Sequence, residues 1–120
     1  MPTPLAPADV VLAITTVANA DDAEHLVRAL LEARLIACGT LLPGARSLYR
    51  WEGEITDEAE VVVLLKTVAE RLEDIGQAFT LHHPYDVPEL LVFPTAAGLE
   101  GYLTWVREET LPTHAPPPGL

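Results

Sequence analysis

The sequence predicts an α+β domain of the ferredoxin-like type, with the order β-α-β-β-α-β followed by a C-terminal helix. Three observations predict it. Two apolar runs rich in β-branched residues, 10–17 and 60–67, are typical of buried strands. Each run is followed by a segment with apolar residues at helical spacing. A short apolar stretch between prolines, 88–94, supplies a last strand.

The first run predicts a strand over Val10 to Val17 that is buried on both faces. Asn19 follows it, and asparagine is a favoured N-cap residue. Asp21 and Asp22 suit the first turn of a helix because they complement its dipole. The apolar stripe of this helix consists of Ala23, Leu26, Val27, Leu30 and Leu31.

The middle of the chain predicts a long, bent β-hairpin. A strand over 36–42 should break or bend at Pro43-Gly44, and residues 47–51 then alternate as a strand does. We expect Gly53 and Asp57 to supply the turn before the second apolar run.

The last part of the chain predicts a helix, a strand and a final helix. Thr67-x-x-Glu70 has the form of a capping box, and Pro84 prevents the helix that it opens from continuing. The strand at 88–94 leads to a final helix that ends near Thr110. Leu72, Ile75 and Phe79 are expected to point inward from the first of these helices. The final helix is indicated by the helical spacing of Leu99, Tyr102, Leu103 and Val106.

The length and composition of the chain exclude several classes of protein. The 120 residues correspond to one domain, and 49% hydrophobic residues exclude intrinsic disorder. A formal net charge of −11 disfavours a nucleic-acid partner. A single cysteine, and no apolar run of the roughly 18 residues that span a membrane, predict a cytoplasmic protein without a membrane partner. We expect flexible proline-rich tails at 1–9 and 111–120 around a domain at 10–110.

One face of the predicted sheet lacks a cover. Both main helices cover the same face of a ferredoxin-like sheet. The strand segments 10–14 and 61–65 are nevertheless apolar on both sides. The final helix can cover part of the second face at most, so we expect other copies of the chain to cover the rest.

Adjacent imidazoles at His82 and His83 are the first candidate for chemistry. They precede Pro84, where the backbone departs from a helix, so both could reach one copper or zinc ion. In the alternative, one caps helix carbonyls and the other is solvated. Two roles are also open for Cys38, which could be a small buried hydrophobic residue or a soft metal ligand.

Lys66 interrupts an apolar strand, where a lysine is rarely buried unless it is paired. Glu60 shares its sheet face but lies about 20 Å away along the strand, so the two should not pair within one chain. Lys66 therefore meets a bound anion or another subunit, or its head group reaches solvent. The amphipathic aromatics, Tyr49, Trp51, Tyr85, Tyr102 and Trp105, suit a core, a subunit interface or an inter-subunit cleft.

Five segments resemble the CutA family, the divalent-cation tolerance proteins. They are A-C-G-T-L-L-P-G (37–44), S-L-Y-R-W-E-G (47–53), E-V-V-V-L-L-K-T (60–67), H-H-P-Y-D-V-P-E-L-L (82–91) and Y-L-T-W (102–105). The resemblance spans about residues 10–107, and the order and spacing of the five segments make it specific.

The resemblance implies a ferredoxin-like homotrimer in the cytoplasm, tied to tolerance of copper and other divalent ions, with no established catalytic reaction. It implies a metal site at His82 and His83, for which Cu(II) or Zn(II) suits two imidazoles with water or a carboxylate. The family's cysteine at the end of the first strand corresponds to Thr15, and a hydroxyl is a poor ligand for Cu(I).

The resemblance also matches Cys38, Tyr49, Trp51, Glu60, Lys66 and Tyr85 to the family's inter-subunit cleft. Its trimer is similar to that of PII-type signalling proteins. The alternative function is therefore a signalling or adaptor trimer that binds a small anion or a protein partner in the cleft. An enzyme is disfavoured because the chain contains neither a phosphate-binding glycine loop nor a His-Glu-x-x-His or Cys-x-x-Cys motif.

Overall fold

A four-stranded antiparallel sheet of order β2-β3-β1-β4 organises the protein, as the computed structural model of residues 4–111 shows. The strands are β1 (Val10–Val17), β2 (Cys38–Trp51), β3 (Glu54–Val68) and β4 (Leu91–Pro94). The helices are α1 (Ala20–Glu32), α2 (Leu72–His82), which follows a short 3₁₀ turn at Ala69–Arg71, and α3 (Glu100–Glu109). This order confirms the predicted ferredoxin-like fold.

The main core lies between the sheet and helices α1 and α2. Asn19 caps α1 as predicted, since its side-chain oxygen accepts a hydrogen bond of 2.8 Å from the backbone N–H of Asp22. Four members of the predicted apolar stripe, Ala23, Leu26, Val27 and Leu30, are buried against the sheet. The fifth, Leu31, is 40% exposed because it lies at the edge of the stripe, so its predicted inward position was wrong. The fully buried members of this core include Ala13, Val17, Leu26, Leu30, Val63, Leu65 and Ile75.

The hairpin of β2 and β3 is longer than predicted. Its register shifts between Leu42 and Ala45, where Gly44 has φ +86°, so the predicted bend is a bulge within a continuous strand. Two residues, Glu52 and Gly53, close the hairpin with φ of 49° and 82°. The prediction that Asp57 forms part of the turn was wrong.

Asp57 lies within β3 because the two-residue turn lets pairing resume at once. It pairs in register with Leu48 of β2, and Arg46 donates a hydrogen bond of 2.7 Å to its carboxylate. This ion pair lowers the pKa of Asp57. The charged segment 54–59 therefore extends the strand instead of forming a loop.

Two further predictions were wrong in detail. The Thr67 hydroxyl does not cap α2 but donates a hydrogen bond of 2.6 Å to the carbonyl of Leu35, because Thr67 still belongs to β3 and projects into the interior. The last strand is limited to Leu91–Pro94. Leu90 packs against the main core instead, so the chain joins the sheet only after it.

The second face of the sheet is partly open. Directly paired residues of antiparallel strands project to the same side. The register therefore assigns to this face Leu12, Ile14 and Thr16 of β1, Cys38, Thr40 and Leu42 of β2, Val62, Leu64 and Lys66 of β3, and Leu91 and Phe93 of β4. Helix α3 covers one end, where Val106 packs with Val10 and Val68. Leu42, Leu91 and Phe93 remain exposed.

Residues 6–9 lie against the domain. The backbone carbonyls of Pro7 and Asp9 accept hydrogen bonds from the N–H groups of Glu70 and Ala69, both at 2.9 Å. Arg107 donates to the carbonyl of Ala8 at 2.9 Å. Residues 1–3 and 112–120 lie outside the described part of the chain, so the flexibility of the two tails stays a prediction. No helix within residues 4–111 is long and apolar enough to cross a membrane.

Candidate functional site

His83 lies at the end of α2 with its ring turned toward the sheet, and only 8% of the residue is exposed. The backbone N–H of Tyr85 donates a hydrogen bond of 3.1 Å to His83 Nδ1. Since Nδ1 is an acceptor, the neutral ring carries its proton on Nε2, which donates to Thr15 Oγ1 at 3.0 Å. Both ring nitrogens are thus occupied by protein partners.

Burial lowers the pKa of His83, because a charged imidazolium is costly away from water. Hydrogen bonding to the backbone of Thr16 and the nearby negative charges of Asp22 and Glu60 oppose this shift without reversing it. The ring also packs against Phe79 and Tyr85, with centroids 5.0 Å and 5.2 Å away. The environment therefore favours a neutral histidine held as part of the fold.

His82 has a different environment from its neighbour. Its ring faces His25 of α1, with ring centroids 5.7 Å apart and planes tilted by 58°. The predicted pair of His82 and His83 is therefore directed to two different parts of the protein, because the chain leaves the helix between them. Within residues 4–111, no three histidine, cysteine, aspartate or glutamate side chains converge as a metal-holding group.

Thr15 stands where the resemblance expects a cysteine, and the structure shows what it contacts. It is fully buried and hydrogen-bonded to His83 Nε2. A hydroxyl bonded to imidazole stabilises the fold without supplying a soft ligand. The Thr15 hydroxyl therefore forms a hydrogen bond to the side chain of His83, which lies 68 residues later in the sequence.

Lys66 lies on the open sheet face beside Cys38 and Thr40. Its ammonium donates hydrogen bonds to the Thr40 hydroxyl and, at 3.7 Å, to the Cys38 thiol. Within residues 4–111 no carboxylate lies within ion-pair distance of it, so its hydrogen-bond partners are neutral and its charge has no counter-charge there. Register explains the cluster, since Cys38 pairs directly with Lys66 across β2 and β3.

The other four predicted cleft residues lie around one groove, between the hairpin and the loop that follows α2. Tyr85 donates a hydrogen bond of 2.7 Å to Glu60, which is buried, and burial together with this carboxylate raises the pKa of Tyr85. Tyr49 and Trp51 line the same open groove of about 760 Å³. Its acidic members are Glu58, Glu60, Asp86 and Glu89. Within one protomer, the six predicted cleft residues thus form two separate clusters. One contains Tyr49, Trp51, Glu60 and Tyr85, and the other contains Cys38 and Lys66.

Sequence reasoning did not single out His25 or Thr40. His25 lies outside the apolar stripe of α1, so a helical pattern marks it only as a solvated residue. Its proximity to His82 depends on how α1 packs against α2. Thr40 could have been found from its spacing, because it is two residues from Cys38 and shares its face of the strand.

Comparison with known proteins agrees with this fold. The family model "CutA1 divalent ion tolerance protein" matches residues 11–109. The chain is 45% identical over 99 residues to the divalent-cation tolerance protein CutA of Pectobacterium atrosepticum, covering 82% of this chain and 90% of that protein. It is 38% identical over 97 residues to the CutA of Thermus thermophilus, covering 81% and 94%.

A solved structure extends the agreement to three dimensions. The crystal structure of CutA from Xylella fastidiosa superposes with a TM-score of 0.82 at 39% sequence identity, covering 85% of this chain and 98% of that one. Residues 11–109, which the family model matches, include every strand and helix described above except the first residue of β1. The chain therefore belongs to the CutA1 family of divalent ion tolerance proteins.

Proposed function

We propose that the protein is a cytoplasmic, non-enzymatic homotrimer that binds a divalent metal ion such as Cu(II) or Zn(II), with His82 as a ligand. Membership of a family named for divalent ion tolerance supports the class of ion. The environment of His82 is the observation that supports its role as a metal ligand. No hydrogen bond to its ring is formed within residues 4–111, whereas both nitrogens of His83 are bonded.

The open sheet face supports the trimer. Leu42, Leu91 and Phe93 are each about half exposed, at 47%, 54% and 47%. The hairpin supports it as well, because Leu48, Trp51 and Ile55 are exposed on a segment that extends past β1. Two strands alone are marginally stable in water, so neighbouring copies would stabilise this extension.

Calorimetric titration with Zn(II) and Cu(II) tests the metal-binding function. Salt of about 0.3 M suppresses diffuse attraction to the acidic surface and leaves coordination largely intact. We expect saturable binding that His82→Gln weakens at least about tenfold, since even an outer-shell partner is typically worth that much. His114→Gln, which also removes one imidazole, is the matched control and should bind as the unchanged protein does. Equal affinity in the His82 variant and the control would contradict the proposal.

The environment of Lys66 favours a second candidate function, the binding of a small anion or of a protein partner's carboxylate. The ammonium is half-buried and has only the neutral partners Thr40 and Cys38 within residues 4–111. An anion would compensate this charge on a face that other subunits would turn into a cleft. In this second candidate function, the same trimer would act as a signalling or adaptor protein.

A thermal-shift screen of small anions tests the second candidate. A ligand that binds the cleft should raise the melting temperature of the unchanged protein, because it binds the folded state only. The rise should disappear in Lys66→Gln and persist in Arg28→Gln, whose charge lies on the exposed side of α1. A rise of equal size in both variants would place the anion elsewhere.

A further inference from the structure

His25 and His82 bring two imidazoles together from separate helices. Their ring centroids are 5.7 Å apart. A metal bound to a ring nitrogen at about 2.0–2.1 Å lies about 3 Å from the ring centroid, so tetrahedral ligation by two imidazoles separates their centroids by about 5 Å. The observed separation of the two ring centroids is close to this value.

The two rings are available for ligation. His25 is exposed and His82 half-buried, and no hydrogen bond to either ring is formed within residues 4–111. Their backbones belong to α1 and α2, whose packing against one core fixes the distance between the two rings. His82 is the last residue of α2, so its ring can turn without disturbing a following helical turn.

The charge around His25 favours a cation over an anion. Asp21 and Asp22 lie one helical turn before it and so share its side of α1. Glu24 also precedes it, but its carboxylate is bonded to Arg28 at 2.7 Å. Imidazole nitrogens suit Zn(II) and Cu(II), whereas Mg(II) and Ca(II) prefer oxygen ligands.

We propose that His25 and His82 form a two-imidazole site that bridges α1 and α2 and binds Zn(II) or Cu(II), with water completing the coordination. The inference rests on the proposed function, because it supplies the second protein ligand for the ion held by His82. It also excludes His83 as a ligand, because His83 bonds Thr15 and Tyr85. The site lies on the helix side of the sheet, so subunits that cover the open face leave it accessible.

Zn(II) titration of the full-length protein tests the site, with His25→Gln, His82→Gln and the double variant compared in the same high-salt buffer. Each single variant should lose at least about tenfold in affinity, by the ligand argument given above. The double variant should lose little more than either single one, because removal of one ligand already breaks the site. His114→Gln is the control for the loss of any imidazole.

NMR of the imidazole nitrogens supplies a second readout that does not depend on affinity. Zn(II) should shift the ring signals of His25 and His82 and leave those of His83 in place. Binding lost in His82→Gln but kept in His25→Gln would overturn the bridging site and leave the proposed function standing. Binding unchanged in both variants, or weakened equally in His114→Gln, would overturn both.

Discussion

At the scale of single residues, His83 belongs to a motif that predicts a metal ligand, but its side chain stabilises the fold through hydrogen bonds. Its two nitrogens join β1, through Thr15, to the loop after α2, through the Tyr85 backbone. Removal of the ring leaves a buried hydroxyl and a backbone N–H without partners, which typically costs about 1–3 kcal/mol. His82, one residue earlier, has none of these bonds, so the two histidines should respond differently to the same substitution.

Stability should depend on pH through His83. Because burial lowers its pKa on folding, the unfolded chain binds more protons under mildly acidic conditions. The contribution of the neutral ring is complete above the ordinary histidine pKa of about 6.5 and decreases as pH falls below it. Denaturant unfolding of metal-free protein should show this loss, at most about 1.4 kcal/mol per pH unit for one proton. His83→Gln should have a flatter profile, whereas a profile as steep as that of the unchanged protein would contradict this prediction.

At the scale of elements, the close approach of α1 to the sheet depends on Gly39 of β2. A Cβ built on Gly39 would lie 2.6 Å from a methyl group of Val27, which is too close for any real contact. Valine is stiff about its first side-chain torsion, so the helix itself would have to move. Gly76, within α2, has no atom within 4 Å of a Cβ built on it.

The two glycines make a matched pair for substitution. Gly39→Ala should destabilise the protein by about 1–3 kcal/mol, because it overpacks the contact between helix and sheet. Gly76→Ala should stabilise it by about 0.5–1 kcal/mol, because alanine favours a helix interior over glycine. Urea unfolding of both variants measures the two effects. A neutral Gly39→Ala would mean that α1 can shift without cost.

At the scale of the whole molecule, two opposing forces act on the proposed trimer. Burial of the open face favours association at about 25 cal/mol per Å² of apolar surface. Repulsion between copies that each carry a formal net charge of −11 opposes it and weakens as salt increases. The trimer should therefore dissociate more readily at low salt than at high salt.

Sedimentation of two variants tests which face associates. Ile14→Lys places a charge in the middle of the open face and should yield protomers, because a lysine buried there would be unpaired. Leu81→Lys makes the same chemical change on α2, where the leucine is 81% exposed, and should leave the assembly intact. Three associated copies of the Ile14 variant, or a lone protomer of the unchanged protein at every salt concentration, would refute the proposed interface.

The sequence by itself determined the order of the elements, the bend at Pro43-Gly44 and the family, because local periodicity, turn residues and motif spacing act over short stretches of chain. It also indicated a sheet apolar on both faces. Only the tertiary structure decided which side chains meet: His83 with Thr15, His82 with His25, and Lys66 with Thr40. Those contacts depend on strand register and helix packing, which join residues far apart in the chain. For this reason two adjacent histidines in one motif have different partners.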